Sequence, residues 1–268
     1  MQLIAASKMQ RAQQMVKEVR EYSIKMQNVF MNVMSQWDQS NNGDDNLSLM
    51  ANRDVNNTLM LIVSPDRGLA GALVGNLNRL TAEFINNSNV PVKCATIGRK
   101  AERFVQRSEA ETIRTFSVDD RPTFEDTVAI SNFIIESYEK AETDRVVLVF
   151  AEFVNTAIQK PILKQILPLN TENTIGSEPI NSSGYIFEPN PATVLNMLVP
   201  RYIQTQVYHS ILEGAASEHS ARMVAMRNAT DNANEMIDQL TLDLNKARQE
   251  QITGELLDIV GGVAAVEN

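Results

Sequence analysis

At 268 residues the chain has room for one large domain or two modest ones, and its 43% hydrophobic content is enough for a folded core. Aromatics at 6% and only 11 glycines, beside 12 methionines, favour long helices over a β-rich fold. A net charge of −9 argues against a general nucleic-acid binder. The lone cysteine, Cys94, allows no internal disulfide and points to a reducing compartment; in the apolar run 92–97 it reads as a small core residue. No stretch reaches the length of a membrane span and no signal peptide is read.

The first segment is helical. Met9, Ala12, Val16, Val19, Ser23, Met26, Phe30, Val33 and Trp37 step by three and four without a break, which is a heptad seam. The polar run 40–45 weakens it, and 47–51 is the stretch where the helix would resume. Lys8, Arg11, Lys17, Arg20 and Lys25 outnumber Glu18 and Glu21 over residues 1–25, a local positive excess that suggests an acidic partner surface or a solvated face.

The middle alternates. Strands are expected at 58–64, 90–97, 111–118 and 145–153, with late candidates at 162–169 and 184–187. Helices are expected at 69–86, 99–107 and 123–141. Strands alternating with helices imply βαβ units and a mainly parallel, Rossmann-like sheet. The polar stretch 170–184 reads as a loop.

The last segment repeats the heptad rhythm at greater length. Leu212, Ala216, His219, Met223, Met226, Thr230, Ala233, Ile237, Leu240, Leu244, Ala247, Gln251 and Gly254 again alternate by four and three. Asn190 followed by Pro191 fits an N-cap with a first-turn proline, so the helix is expected to start there. A helix from 191 to 260 would extend on the order of 100 Å and needs a partner seam to be stable. The N-terminal helix is that partner. The fold class is therefore α/β with an antiparallel, left-handed coiled coil: helix 1–52, α/β domain 53–190 and long helix 191–268.

Catalytic chemistry finds little support. The glycine turn Gly68-Leu-Ala-Gly71-Ala-Leu-Val-Gly75 lies between a strand and a helix, where a phosphate loop belongs. It lacks both G-x-x-x-x-G-K-[ST] and G-x-G-x-x-G, and is read instead as small residues letting the helix pack closely on the sheet. His209 and His219 are too far apart to share a metal, and His219 reads as a polar register residue on the seam. No catalytic residue, metal or cofactor is expected.

The residues also carry a resemblance. Ala5-Ala6-Ser7-Lys8-Met9 with Arg11-Ala12-Gln13, the turn Ser64-Pro-Asp66-Arg67-Gly68-Leu-Ala-Gly71, and Leu167-Pro168 are similar to stretches of the gamma subunits of rotary ATP synthases. So are Gln206-Val-Tyr208, 216–223, 229–233, 245–249, Ile252-Thr253, Glu255-Leu256 and the tail 259–266. The similarity runs along essentially the whole chain. Family members begin with a further basic helical stretch, so Met1 falls mid-helix; either the sequence is a fragment or the helix pair is single-stranded near that end. Ala70 and Ala72 stand where the family often has Cys and Gly, and the paired-cysteine insertion of chloroplast members is absent, which implies no redox control.

The resemblance implies a rotating central stalk that couples proton flow through a membrane ring to ATP synthesis or hydrolysis in an alpha/beta head, with no catalysis of its own. Implied partners are the alpha, beta and epsilon subunits and the membrane c-ring, with no nucleic acid and no homo-oligomer. The implied location is the cytoplasmic face of a bacterial plasma membrane, peripherally attached. It places Lys8, Arg11, Arg222, Arg248, Gln249, Thr253 and Glu255 against the head, and gives Asp66, Arg67, Gly68 and Gly71 a structural turn. A coiled-coil scaffold with a Rossmann-like insert and a nucleotide-dependent α/β enzyme remain the competing expectations.

Overall fold

A computed structural model of the chain describes residues 1–40, 49–50, 53–108, 110–169, 188 and 190–266. The elements are α1 (Gln2–Ser40), β1 (Thr58–Val63), α2 (Leu73–Asn87), β2 (Val92–Ile97), α3 (Arg99–Val105), β3 (Glu111–Phe116), α4 (Phe124–Glu139), β4 (Arg145–Phe153), β5 (Gln159–Leu167) and α5 (Pro191–Val266). The expected strand at 184–187 and the whole of the loop 170–184 lie outside the described residues, as does most of 47–51.

The sheet has five strands in the order β3-β2-β1-β4-β5. β1 through β4 run parallel, and β5 returns antiparallel to β4. β1 is buried along its whole length, as an apolar strand covered on both faces must be. On one face Leu59, Leu61, Val146 and Leu148 meet α1, α4 and the first turns of α5. On the other, Met60, Ile62, Cys94 and Val147 meet α2 and α3. Cys94 sits inside this second layer, and burial pushes its thiol up to about 11, as the core assignment requires.

Local chemistry sets the element ends. Thr123 and Asp126 form a reciprocal capping box at the start of α4. The Asn190 side chain accepts the backbone N–H of Thr193 at 2.8 Å, so the expected cap of the long helix is present. The Asn155 side chain accepts from the N–H groups of Ala157 and Ile158 and closes the β4–β5 hairpin. Pro161 falls on edge strand β5, where a missing N–H is tolerated.

The chain divides into two compact units, Met1–Val224 and Ala225–Asn268. Within the first, α1 and α5 run antiparallel. Phe30 stacks on Tyr202 with ring centroids 4.9 Å apart, Ser23 meets Gln206, and Ala12 and Val16 pack with Leu212 and Ala216. Every expected seam residue of α1 from Met9 to Val33 is buried or half-buried. The second unit, taken alone, is helical, and all of 227–262 except Gly254 is exposed. Residues Thr230 to Gln251, which the heptad expectation places on a packed seam, are thus exposed in the second unit.

This asymmetry yields a prediction. Val16→Asp buries an unpaired charge and should destabilise the isolated chain by several kcal/mol in denaturant unfolding. Ile237, 59% exposed, should tolerate Asp within about 0.5 kcal/mol in the same experiment. An equal loss in both variants would show that the second half of the seam is paired within the chain.

Candidate functional site

The parallel strands end at a cleft of about 1400 Å³. Its floor is the β1–α2 turn and the start of α3; its walls come from the first half of α1, residues 117–122 and α5 near Leu212 and His219. The topology places it there, because β1 is followed by β2 on one side and neighboured by β4 on the other.

The turn is held from several directions. Ser64 N donates to Ile97 O at 3.0 Å, and Lys100 N donates to Pro65 O at 3.2 Å. The Asp66 carboxylate accepts the N–H of Arg99 at 2.9 Å, supplying the cap that Gly98 has no side chain to give. Gly98 has φ +90°, and a Cβ there would lie 1.9 Å from Ser64 O, so only glycine fits. Gly71 also takes a left-handed φ, and so does Leu69, which is 63% exposed. The close-packing interpretation of the glycines needs correcting. A Cβ at Gly75 would meet nothing within 4 Å, and one at Gly68 would meet only the end of Lys100 at 3.8 Å. Ala70, Leu73 and Leu77 make the buried contact, and the glycine requirement in this turn belongs to the backbone angle of Gly71.

Beside the cleft, α5 is stitched to the sheet by polar groups. The Glu213 carboxylate, 1% exposed, accepts Phe153 N at 2.6 Å and Arg20 Nη2 at 2.7 Å, with His209 Nε2 3.4 Å away. Ser217 donates to Ala151 O and Ser220 to Thr156 O. Lys164 donates to Gln206, whose amide donates to Ser23 on α1. Burial holds the Lys164 ammonium and the His209 imidazole below their ordinary pKa values.

The expected site residues separate. Lys8 is ion-paired with Asp120, and Arg222 is held by Glu218 at 2.6 Å with the carbonyls of Arg67 and Gly68 at 3.4 Å. Together with Arg20 on Glu213, these contacts use two of the five N-terminal positive charges inside the chain; Arg11, Lys17 and Lys25 make no ion pair among the described residues. Arg248, Gln249, Thr253 and Glu255 are exposed on the second unit, where Glu255 accepts from Gln251 at 3.0 Å. Glu213, Asp120 and Gly98 had no signal in the sequence, since each acts on a residue distant in the chain. Among the described residues no cluster of His, Cys, Asp and Glu could hold a metal, and no helix is long and apolar enough to cross a membrane.

A family model described as ATP synthase matches residues 1–266. The ATP synthase gamma chain of Dehalococcoides mccartyi (strain CBDB1) is 46% identical over 267 residues, taking in 99% of this chain and 92% of that relative. The chain belongs to the ATP synthase gamma-chain family. The gamma chain of Chloroflexus aurantiacus (strain J-10-fl) is 37% identical over 272 residues, covering 99% of this chain and 91% of its own length. The gamma-chain fold recurs in the central stalk and c-ring structure of Tetrahymena thermophila mitochondrial ATP synthase, with TM-score 0.63 at 21% identity over 85% of this chain and 97% of that one. Euglena gracilis mitochondrial ATP synthase gives TM-score 0.59 at 19% identity, over 97% and 95% of the two chains. These names point to a non-catalytic subunit.

In this gamma chain His219 does not bond across the seam. It is 3% exposed, and its Nδ1 has no hydrogen-bond partner among the described residues. Burial and the Arg222 and Lys8 cations pull its pKa down to about 4, against the attraction of Asp120. A histidine with a depressed folded pKa is held neutral, so the unfolded chain binds more protons between pH 6.5 and 4 and stability falls on acidification through that window. The contribution is about 3 kcal/mol at most. Glu218, raised by burial, works in the opposite direction. His219→Gln should therefore flatten the pH dependence of unfolding between pH 6.5 and 4; an unchanged slope would show that His219 is not the group responsible.

Proposed function

We propose that this gamma chain is the rotating central stalk subunit of a proton-translocating ATP synthase. It couples ion flow through a membrane c-ring to ATP synthesis or hydrolysis in a head of alpha and beta subunits. The observation that carries the proposal is the gamma-chain family match along residues 1–266. The helix pair joined to an α/β domain supports it. Its functional parts are the N-terminal segment 1–52, which carries α1, the α/β segment 53–190 and the C-terminal segment 191–268, which carries α5. The α/β domain contacts epsilon and the ring, and the complex is peripheral to the cytoplasmic face of a bacterial plasma membrane.

The mechanism is mechanical. The stalk carries no bond chemistry; its rotation biases the beta subunits among states of different nucleotide affinity, a population shift driven by differential contact. The exposed residues 227–262 supply the surface, which has no exact short repeat and so presents unlike faces in turn. Arg248 and Gln249 offer several donors, and the arginine fork can grip a carboxylate of one beta subunit at a time. Hydrated polar contacts of this kind hold a dwell and release on rotation. Thr253 and Glu255 extend the same surface. Lys8 and Arg11 lie near the levers that beta subunits extend; Lys8 must exchange its Asp120 contact to take part, while Arg11 makes no ion pair among the described residues.

Arg248→Ala with Gln249→Ala should leave the isolated chain folded and lower coupled ATP turnover of the assembled complex by several-fold. Unchanged turnover and proton pumping in a fully assembled double variant would remove both residues from the mechanism.

A further inference from the structure

We propose that the cleft at the carboxyl ends of β1, β2 and β3 binds a small organic phosphate, a sugar phosphate or nucleotide. Four segments far apart in the chain each bring an arginine to its lining: Arg11 from α1, Arg67 from the β1–α2 turn, Arg99 from the start of α3 and Arg121 ahead of α4. All four are exposed, and none of their guanidinium groups makes a hydrogen bond or ion pair among the described residues.

The lining carboxylates are mostly engaged already. Asp120 holds Lys8, Glu218 holds Arg222, Asp66 accepts Arg99 N, and Glu18 accepts from Gln14; Asp119 alone has no such bond among the described residues. With the Lys8–Asp120 and Arg222–Glu218 ion pairs set aside, the four arginines face the carboxylates of Glu18, Asp66 and Asp119, so the lining keeps a small positive excess. Guanidinium forks match phosphate oxygens in pairs, and several around one cleft suit a ligand with more than one negative charge.

A second, independent observation concerns the interior of the cleft. Ser64 is 8% exposed and His219 3% exposed, both line the cleft, and Ser64 Oγ and His219 Nδ1 have no hydrogen-bond partner among the described residues. Buried polar atoms are paired in most folded proteins. A neutral hydroxyl and a neutral imidazole nitrogen are suited to the hydroxyl groups of a sugar, not to a bare anion. Beside them α2 begins with no side-chain cap and no acid in its first turn, so its positive end is uncompensated. The cleft is larger than a simple ion requires and lies at the edge of a doubly wound sheet where ligands commonly bind. The glycine turn takes no part as a phosphate cradle; the charge comes from side chains that no contiguous motif would reveal.

The test is calorimetric titration of the full chain at low salt with ribose 5-phosphate, ADP and pyrophosphate. The expected result is saturable one-site binding of ribose 5-phosphate or ADP that weakens at least tenfold in Arg99→Ala with Arg121→Ala, both exposed positions whose loss leaves the far-UV spectrum unchanged. Ser64→Ala should weaken ribose 5-phosphate several-fold and leave pyrophosphate unaffected. Absence of saturable binding of any of the three would overturn the proposal. So would binding that survives the double arginine variant, or pyrophosphate binding as tightly as ribose 5-phosphate with no effect of Ser64→Ala. None of these outcomes bears on gamma-chain membership, so the two conclusions fail separately.

Discussion

The carboxylate of Glu213 lies where three parts of the chain meet. It belongs to α5, one oxygen accepts the backbone N–H of Phe153 at the end of β4, and the other accepts Arg20 of α1. A carboxylate this buried is tolerable only when its lone pairs are filled and a positive charge is near. Arg20 remains half-exposed, so the pair keeps contact with water on one side while the carboxylate is enclosed. The arrangement needs all three elements in register at once. Removing the carboxylate leaves Phe153 N and the Arg20 head without their partner, a loss of about 3 kcal/mol by analogy with other partly buried charged hydrogen bonds. Ser217, Ser220 and the Lys164–Gln206–Ser23 chain repeat the same device on either side.

In the proposed rotary role this has a mechanical meaning. Apolar packing alone is non-directional and lets helices slide past a sheet. Hydrogen bonds of fixed geometry resist that slip, because sliding by a fraction of a residue would strand buried polar atoms. The Met1–Val224 unit therefore holds its helix pair and its α/β sheet in one register, which is what transmission of torque between them demands. The Ala225–Asn268 unit has a different surface, with exposed apolar and polar side chains suited to partners of another chain.

The sequence disclosed what depends on local or periodic chemistry. The α1 seam from Met9 to Val33, the Asn190 cap and the four parallel strands all follow from spacing and turn residues. What it hid is equally specific. Glu213 reads as an ordinary helix acid, because its partners Phe153 and Arg20 lie 60 and 193 positions away. Gly98 reads as a strand end, and only the approach of the Ser64 carbonyl explains it. The heptad beyond Met226 is as regular as the one before it, yet periodicity cannot say whether the partner seam lies in the same chain. The arginines of the cleft lie in four unrelated segments, so their convergence is a property of topology alone.

Hydrogen exchange on Glu213→Ala in the full chain tests the central claim most directly. If Glu213 couples the helix pair to the sheet, protection should fall together and by similar amounts at the α1 amides between residues 12 and 30 and at the β4 amides around Phe150. Glu213→Gln, which keeps an acceptor for Phe153 N, should restore part of it in both. A loss confined to β4 with α1 unchanged, or no loss in either, would contradict the account.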